Sequence, residues 1–168
     1  MNIKIDTTLE RDIDLLILEE FISDLEFASI FLKAVGISDD YTVETAIHSK
    51  MDAEFGESDI VFILNINGKR HALHIEDKID AIAMPNQSGR YHDRAKKDII
   101  SGEYDDYSVL IVAPEKYLEA NNEAHKYTNR VRYEQLRDYF STKDDIRSKY
   151  KSALIERAIT DQKNGYQY

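Results

Sequence analysis

The chain has no cysteine and no apolar run long enough to cross a membrane. Without cysteine it cannot form a disulfide, a thiolate zinc site or a cysteine nucleophile, and this composition fits a reducing compartment. A membrane-spanning helix would need about 18 consecutive apolar residues. The opening residues, 1–6, contain no hydrophobic block of the kind found in signal peptides. We therefore expect a cytoplasmic protein that does not enter the membrane.

Basic residues are scarce in the first third of the chain. Residues 1–60 contain 15 acidic and 4 basic residues, a balance of −11, whereas residues 61–168 contain 17 and 18, a balance of +1. The net charge of −10 argues against broad, sequence-independent coating of nucleic acid. It says less about a local groove, because salt screens exposed charges beyond roughly 10 Å. One stretch, 87–97, is locally basic with a balance of +3.

Hydrophobic periodicity and turn residues divide the chain into helices and strands. The predicted elements, in order, are a buried helix over 13–32 that is broken near Asp24, a strand over 41–47, a loop over 48–57, strands over 60–66 and 71–76, a loop over 79–86, a helix over 87–101, a buried strand over 107–113, a short helix over 115–122, a short strand or a loop over 130–133, helices over 134–140 and 144–162, and a frayed tail at 164–168. This order predicts an α/β sandwich with a mixed sheet, as one domain spanning 1–168.

Three ionisable residues mark the ends of a predicted β-hairpin. Asp59 opens its first strand, while Glu76 and Lys78 close its second; Asn67 and Gly68 form the turn, and Asn-Gly is the strongest short hairpin signal. A hairpin brings the start of one strand next to the end of the other, and residues two apart on a strand share a face. The three side chains are therefore expected to converge. Two carboxylates suit Mg²⁺, and a neighbouring amine suits a phosphate.

Three segments of the chain resemble the PD-(D/E)XK nuclease superfamily. Gly-Glu-Ser-Asp-Ile at 56–60 resembles the motif that carries the first metal-binding aspartate, and Ile-Glu-Asp-Lys at 75–78 resembles the (D/E)XK element. Gln-Ser-Gly-Arg-Tyr at 87–91 resembles the Gln-x-x-x-Tyr helix motif that follows it in many members. The likeness covers about 9–113, and Ser58 stands at the position of the name-giving proline. It implies a restriction-endonuclease-like fold, a three-layer sandwich whose mixed central sheet is flanked by helices.

The resemblance also implies roles for the residues of these motifs. Asp59 and Glu76 would bind Mg²⁺ or Mn²⁺, and Asp77 would add an oxygen through its backbone carbonyl. Lys78 would orient or deprotonate the attacking water, or hold the phosphate. A divalent cation nearby is expected to lower the pKa of Lys78, because like charge disfavours the protonated form. Gln87 would support the metal site or touch the phosphate.

An acid from the first helix often joins this site in the superfamily. Glu20 is the preferred candidate, because it lies in an apolar stretch where a carboxylate is unfavourable without a partner. The alternatives are Glu19, Asp14 and Glu10. His74 should face the same side of its strand as Glu76. We interpret it as a core or supporting residue rather than a ligand.

The helix over 87–101 supplies the candidate contacts to nucleic acid. Gln87 and Tyr91 are four residues apart and share a helix face, as do Arg90 and Arg94. The resemblance implies that Tyr91 supports the metal site or touches the phosphate. The two arginines suit backbone phosphates. The alternative for the arginines is a basic surface helix in an acidic protein.

The expected function is therefore hydrolysis of phosphodiester bonds by a Mg²⁺- or Mn²⁺-dependent nuclease. DNA is the expected substrate, with a role in defence or DNA processing that rests on the family alone. One alternative is a non-catalytic member that keeps the fold as a binding or assembly module. Another is a phosphodiesterase that acts on a small nucleotide. A homodimer, or a protein partner that directs the chain to its target, is a further expectation.

Overall fold

The computed structural model describes residues 1–81 and 83–164, with side chains through 162. The helices are α1 (Glu10–Ser23), α2 (Leu25–Ala34), α3 (Gln87–Ile100), α4 (Glu115–Ala120), α5 (Tyr133–Ser141) and α6 (Ile146–Asn164). The strands are β1 (Thr42–Asp52), β2 (Gly56–Ile66), β3 (Lys69–Asp77), β4 (Asp106–Ala113) and β5 (Arg130–Arg132). The predicted order of helices and strands is confirmed, while 165–168 of the predicted tail lie outside the described residues.

The five strands form one mixed sheet in the order β1-β2-β3-β4-β5. β2 is antiparallel to both β1 and β3, and β4 and β5 run parallel to β3. Positive φ angles at Asn67 (53°) and Gly68 (83°) make the turn between β2 and β3, as expected for a two-residue Asn-Gly hairpin. This turn fixes the register that brings Asp59 level with the end of β3.

Helices cover both faces of the sheet. On one face, alternate residues of the strands join a core with α1, α2, α5 and α6, in which Phe21 stacks on Phe62 with ring centroids 3.9 Å apart. On the other face, α3 and α4 pack through two smaller clusters that contain Tyr91 and Ala95. The protein is thus an α/β fold whose mixed sheet lies between helices. Among the described residues, none of the helices combines the length and apolar character required to cross a bilayer.

Two sequence predictions about local structure have clear outcomes. The break in the first helix is confirmed, because the Asp24 carboxylate accepts hydrogen bonds from the N–H groups of Glu26 and Phe27 and so starts a second helix. The loop predicted over 48–57 is wrong, because β1 continues to Asp52 and β2 begins at Gly56. Residues of β1 are mostly exposed or half-buried at the sheet edge. An edge strand can carry polar residues, and a polar sequence of this kind is easily predicted to be a loop.

Candidate active site

The end of the β2–β3 hairpin brings two carboxyl groups into contact. Ile60 pairs with Ile75, so Asp59 and Glu76 come next to each other at the end of the ladder, and their side chains lie within hydrogen-bonding distance. Burial, followed by the charge of Glu76, raises the pKa of Asp59 to about 9. Burial also raises the pKa of Glu76 above its usual range. Charging both carboxyl groups in this largely buried site is therefore unfavourable unless a cation lies between them.

The first turn of α3 fixes the orientation of Glu76. The amide Nε2 of Gln87 donates to Oε1 of Glu76 at 2.6 Å, and the hydroxyl of Tyr91 donates to Oε2. The same hydroxyl accepts the backbone N–H of Asp59 at 3.2 Å. Gln87 and Tyr91, one helical turn apart, thus tie α3 to the Glu76 carboxylate and to the backbone of Asp59. The structure brings these four sequence-predicted residues together.

Lys78 lies directly beside this pair, with its Nζ 3.5 Å from Oε1 of Glu76. Burial lowers the pKa of Lys78, but the charges of Glu76, Glu10 and Asp59 outweigh it and raise the pKa above its usual value. The protein's own charges therefore keep Lys78 as an ammonium. This direction is opposite to the lowering expected beside a divalent cation.

Asp77 faces the other side of the sheet, as the alternation of a strand requires. Its side chain is fully buried, and one oxygen accepts from the hydroxyl of Tyr133 on α5. Burial, followed by the charge of Asp14, raises the pKa of Asp77 far above normal, and burial also raises the pKa of Asp14. The backbone N–H of Asp77 donates to Oδ2 of Asp59 at 2.8 Å. Asp77 thus links the carboxyl pair to the acids of α1.

The first turns of α1 contribute the helix acids. Glu10 and Asp14 are four residues apart and point toward the ends of β2 and β3; the N–H of Ile79 lies 3.5 Å from Oε1 of Glu10. Burial raises the pKa of Glu10 to about 7, against the lowering effect of Lys78. Asp14 also lies 3.1 Å from Nε2 of His48. Of the three acids that were alternatives in the sequence, Glu10 and Asp14 are found here, whereas Glu19 lies 3.1 Å from Lys151.

Glu20, the preferred helix acid, does not join the site. It pairs with Lys151 of α6, which also lies 3.1 Å from Glu19. At 3.6 residues per turn, Glu20 is rotated about 120° around the helix from Asp14. The choice of Glu20 is therefore corrected. The apolar surroundings did identify a partnered acid, but the partner is a lysine from the distant C-terminal helix.

Two residues predicted to contact nucleic acid are buried instead. Tyr91 is fully buried, and its hydroxyl is used by Glu76 and Asp59. Arg94 is 4% exposed; it donates to Oγ of Ser58 and the carbonyl of Phe55, and its guanidinium lies 4.1 Å from the Tyr91 ring centroid. Arg94 is therefore a positioning residue that ties α3 to the start of β2. Arg90 is exposed on α3.

Sequence reasoning missed two tyrosines near the carboxylates. Tyr133 holds Asp77 from the start of α5, 56 residues further along the chain. Tyr127 is buried, and the charges of Glu76 and Asp59 act on its phenol. No local pattern distinguishes these two from the other tyrosines, because tertiary packing alone brings their segments to the sheet. Ser58, at the position of the name-giving proline, accepts from Arg94, a contact that no local sequence pattern predicts.

The donor chemistry of the carboxyl pair fits a divalent cation. Among the described residues, no group of three or more His, Asp or Glu side chains is arranged to hold a metal ion. Mg²⁺ commonly takes only one or two protein carboxylates and completes its shell with water and substrate oxygens. Asp59 and Glu76, in contact and both with raised pKa values, are a buried pair whose repulsion a cation would relieve.

Comparison with known proteins gives no relative for this chain: no family model, no curated protein and no solved structure matches it.

Proposed function

We propose that this protein is a PD-(D/E)XK-type nuclease with a restriction-endonuclease-like fold, using Mg²⁺ or Mn²⁺ to hydrolyse phosphodiester bonds, with DNA as the expected substrate. The observation that carries the proposal is the contact of the Asp59 and Glu76 carboxyls beside the Lys78 ammonium. Two oxygen ligands and one cation at one point are what hydrolysis of an anionic diester requires. The likeness of the three motifs supports the same conclusion.

The roles of the chain's own residues follow from their contacts. Asp59 and Glu76 would hold the metal, which when bound supplies Lewis acidity and lowers the pKa of a coordinated water. Gln87 and Tyr91 keep Glu76 in position through hydrogen bonds to its two oxygens. Lys78, kept cationic by its neighbours, would stabilise the negative charge that develops on the phosphate as water adds and the P–O bond to the leaving oxygen breaks.

Glu10 is the residue best placed to accept the proton from the attacking water. Its pKa of about 7 is close to the pH at which a general base is most effective. The charges of both Lys78 and Glu76 act on it, which places it beside the two residues that define the site. Replacing it by Glu10→Gln should reduce the rate and remove the rise in rate between pH 6 and 8 that the wild type shows. An unchanged pH profile would exclude Glu10 as the base.

The proposal is tested by incubating the protein with plasmid, single-stranded DNA and RNA in Mg²⁺, Mn²⁺ or EDTA. Glu76→Ala and Lys78→Ala should abolish cleavage, as should EDTA. Lys69→Ala is the matched control, because Lys69 is exposed at the opposite end of β3. Equal, metal-independent results for all four proteins would refute a nuclease.

A second candidate is a phosphodiesterase that acts on a small nucleotide. It is favoured by the net charge of −10 and by the burial of Arg94 and Tyr91, which leaves Arg90 as the exposed member of the predicted nucleic-acid contacts. Cleavage of a small diester such as bis(p-nitrophenyl) phosphate by the wild type, with all polymers left intact, would select this candidate. The same Glu76→Ala and Lys78→Ala variants should abolish that activity.

A further inference from the structure

One serine inside β1 has a left-handed backbone. Ser49 has a φ angle of 62°, whereas Asn67 and Asn86, which also have positive φ angles, lie in a turn and just before a helix. A serine seldom adopts this conformation, because its Cβ then comes too close to the following carbonyl oxygen. Such a conformation persists only where the surrounding structure holds it, and it is common at functional sites.

Ser49 lies directly across from Asp59 of the carboxyl pair. The two strand pairs that flank this position are His48–Ile60 and Lys50–Ser58. The register is therefore the same on both sides, so neither strand contains an extra residue at this point. The left-handed residue of β1 and the first carboxylate of the candidate site thus occupy one position of the β1–β2 ladder.

The strand β1 changes face at Ser49. In a regular strand, residues two apart share a face of the sheet. His48 nevertheless lies 3.1 Å from Asp14 of α1, on one face. Lys50 lies 3.0 Å from Asp98 of α3, on the other face. The conformation of Ser49 accounts for the change, because a left-handed residue interrupts the alternation of an extended chain.

The strand β2 makes the same change at Asp59. Ile60 packs into the core with α1, but Ser58, two residues earlier, accepts from Arg94 of α3. Asp59 lies between them, and its Oδ2 accepts the backbone N–H of Asp77 at 2.8 Å. The left-handed turn of β1 therefore accompanies the turn of β2 that brings this carboxylate to the end of β3.

We propose that Ser49 is a positioning residue of the candidate site: its left-handed backbone supports the turn of β2 at Asp59 and so keeps the Asp59 carboxyl beside Glu76. The Ser49 hydroxyl adds to this support by donating to Oε1 of Glu57 on β2 at 2.7 Å. The consequence for catalysis rests on the proposed function. The placement of Asp59 can be measured without it.

Substitutions at one position separate backbone conformation from side-chain chemistry. Ser49→Gly and Ser49→Asn accept a positive φ angle, so both should keep the site intact. Ser49→Val opposes it strongly, because a β-branched residue is an outlier there, and Ser49→Ala opposes it more mildly and serves if Ser49→Val does not fold. Ala46→Val is the matched control, since Ala46 is exposed on the same strand and its φ angle is not positive.

Amide hydrogen exchange reports the placement of Asp59 without metal or substrate. The Asp77 N–H is bonded to Asp59, so Ser49→Val should speed its exchange by about 5- to 10-fold, the range for one lost hydrogen bond. Ser49→Ala should have a smaller effect in the same direction. The amides from Ala72 to Ile75, in the part of β3 that pairs on both sides, should not change. A merely structural role would speed the exchange of all these amides alike.

The same variants test the consequence for the site. Calorimetry should show Mg²⁺ binding weakened by about 10- to 100-fold in Ser49→Val, as when a group that orients a metal ligand is lost. Its kcat for diester cleavage should fall by about 100-fold, as for a small misplacement of a reacting group, while KM changes little. Ser49→Gly, Ser49→Asn and Ala46→Val should match the wild type in both measurements.

The outcomes keep the two proposals apart. Faster Asp77 exchange confined to Ser49→Val and Ser49→Ala, in a protein that cleaves no diester, supports the role of Ser49 and refutes the proposed function. Equal cleavage by all Ser49 variants, with Asp77 exchange unchanged or faster along the whole of β3, refutes the role of Ser49 and leaves the nuclease standing. If Ser49→Gly loses as much as Ser49→Val, the hydroxyl bond to Glu57 positions the strand, and the proposed role of the backbone is wrong.

Discussion

Two buried polar networks begin two residues apart on the same face of β3. The first starts at Glu76 and joins Asp59, Lys78 and the acids behind them, and three of its carboxyl groups, those of Glu76, Glu10 and Asp59, act on the one ammonium. The second starts at His74, whose Nε2 lies 3.0 Å from the Tyr104 hydroxyl; that hydroxyl and the Lys50 ammonium both bind Asp98 at 3.0 Å. In the first network the carboxyl groups outnumber the ammonium of Lys78. In the second, the carboxylate of Asp98 lies opposite the ammonium of Lys50.

This difference indicates what each network is for. Buried charge is unfavourable unless it is paired, and in the second network the fold itself pairs the charge of Asp98 with that of Lys50. The first network is satisfied only when protons or an added cation reduce the repulsion between its carboxyls. A site that costs stability and is completed by a ligand is typical of function rather than of folding. The four predictions below test this distinction.

The largest effect is expected from exchanging one residue in each network. Glu76→Gln should reduce diester cleavage by about 100- to 1,000-fold, as does the loss of one group that stabilises a transition state, while the protein stays folded. Lys50→Met should instead lower the free energy of unfolding, because it leaves Asp98 buried without its cation, and should retain cleavage below its melting temperature. Cleavage assays and urea unfolding on both variants measure the two effects, and loss of cleavage in folded Lys50→Met would remove the distinction.

The second prediction concerns hydrogen bonds within the balanced network. Because the Tyr104 hydroxyl donates to Asp98, it accepts the Nε2–H of neutral His74. Tyr104→Phe leaves that buried N–H without a partner and should lower the free energy of unfolding by about 1–3 kcal/mol. Urea unfolding at pH 7.5 measures this. Tyr150→Phe, at a half-exposed tyrosine, should have no effect, and an equally small change in both variants would contradict the prediction.

The third prediction is a pH dependence that originates at His74. Burial, with the charges of Arg94 and Lys50, lowers its pKa to about 3 in the folded protein, whereas an unfolded histidine has a pKa of about 6.5. The unfolded state therefore binds an extra proton below pH 6.5. The stability that neutral His74 contributes is complete above that pH and is lost as the pH falls toward 3.

For one such group the loss between pH 6.5 and pH 5 is roughly 2 kcal/mol. The buried carboxyls have raised pKa values and act in the opposite direction, so the prediction applies to the difference between wild type and His74→Asn. That difference, measured by urea unfolding at the two pH values, should shrink as the pH falls. A constant difference would show that His74 does not resist protonation.

The fold could largely be predicted from the sequence because its signals are local. The Asn67-Gly68 turn, the buried run of β4 and the helix break at Asp24 each depend on neighbouring residues, and all three are found. The register of one hairpin was then enough to bring Asp59 and Glu76 together. The polar residues of β1 led to the wrong prediction of a loop over 48–57, because an edge strand does not need an apolar pattern.

The rest of the site depends on contacts between distant segments. Choosing among the acids of α1 required knowing that Lys151 of α6 lies beside Glu20, 131 residues away along the chain. Whether Arg94 faces solvent or Ser58 depends on how α3 sits on β2. The helical pattern gave the spacing of Arg90 and Arg94 but not which of them is buried. Tertiary packing determines which of these side chains is buried or paired, and a single sequence does not reveal that packing.

The smallest expected effect, and the most direct test of the distinction, is a gain of stability in the unbalanced network. The pKa of Asp59 is raised to about 9 in the folded protein, so folding favours its protonated form. The stability this group contributes is present below about pH 4 and is lost as the pH rises toward 9. An asparagine resembles the protonated acid. Asp59→Asn should therefore raise the free energy of unfolding at pH 8 by about 0.5–2 kcal/mol, and by less at pH 5.

The matched control is Asp52→Asn, at the end of β1. Hydrogen bonds from the N–H groups of Phe55 and Glu54 lower the pKa of Asp52 to about 2, so its stability is present above pH 4 and its replacement should destabilise the protein. Mg²⁺ should raise the melting temperature of the wild type by mass action and should not raise that of Asp59→Asn. If Asp59→Asn is less stable than the wild type at both pH values, Asp59 is a paired structural acid like Asp98. The two networks on β3 would then be of the same kind, because each would stabilise the fold through its own pairing.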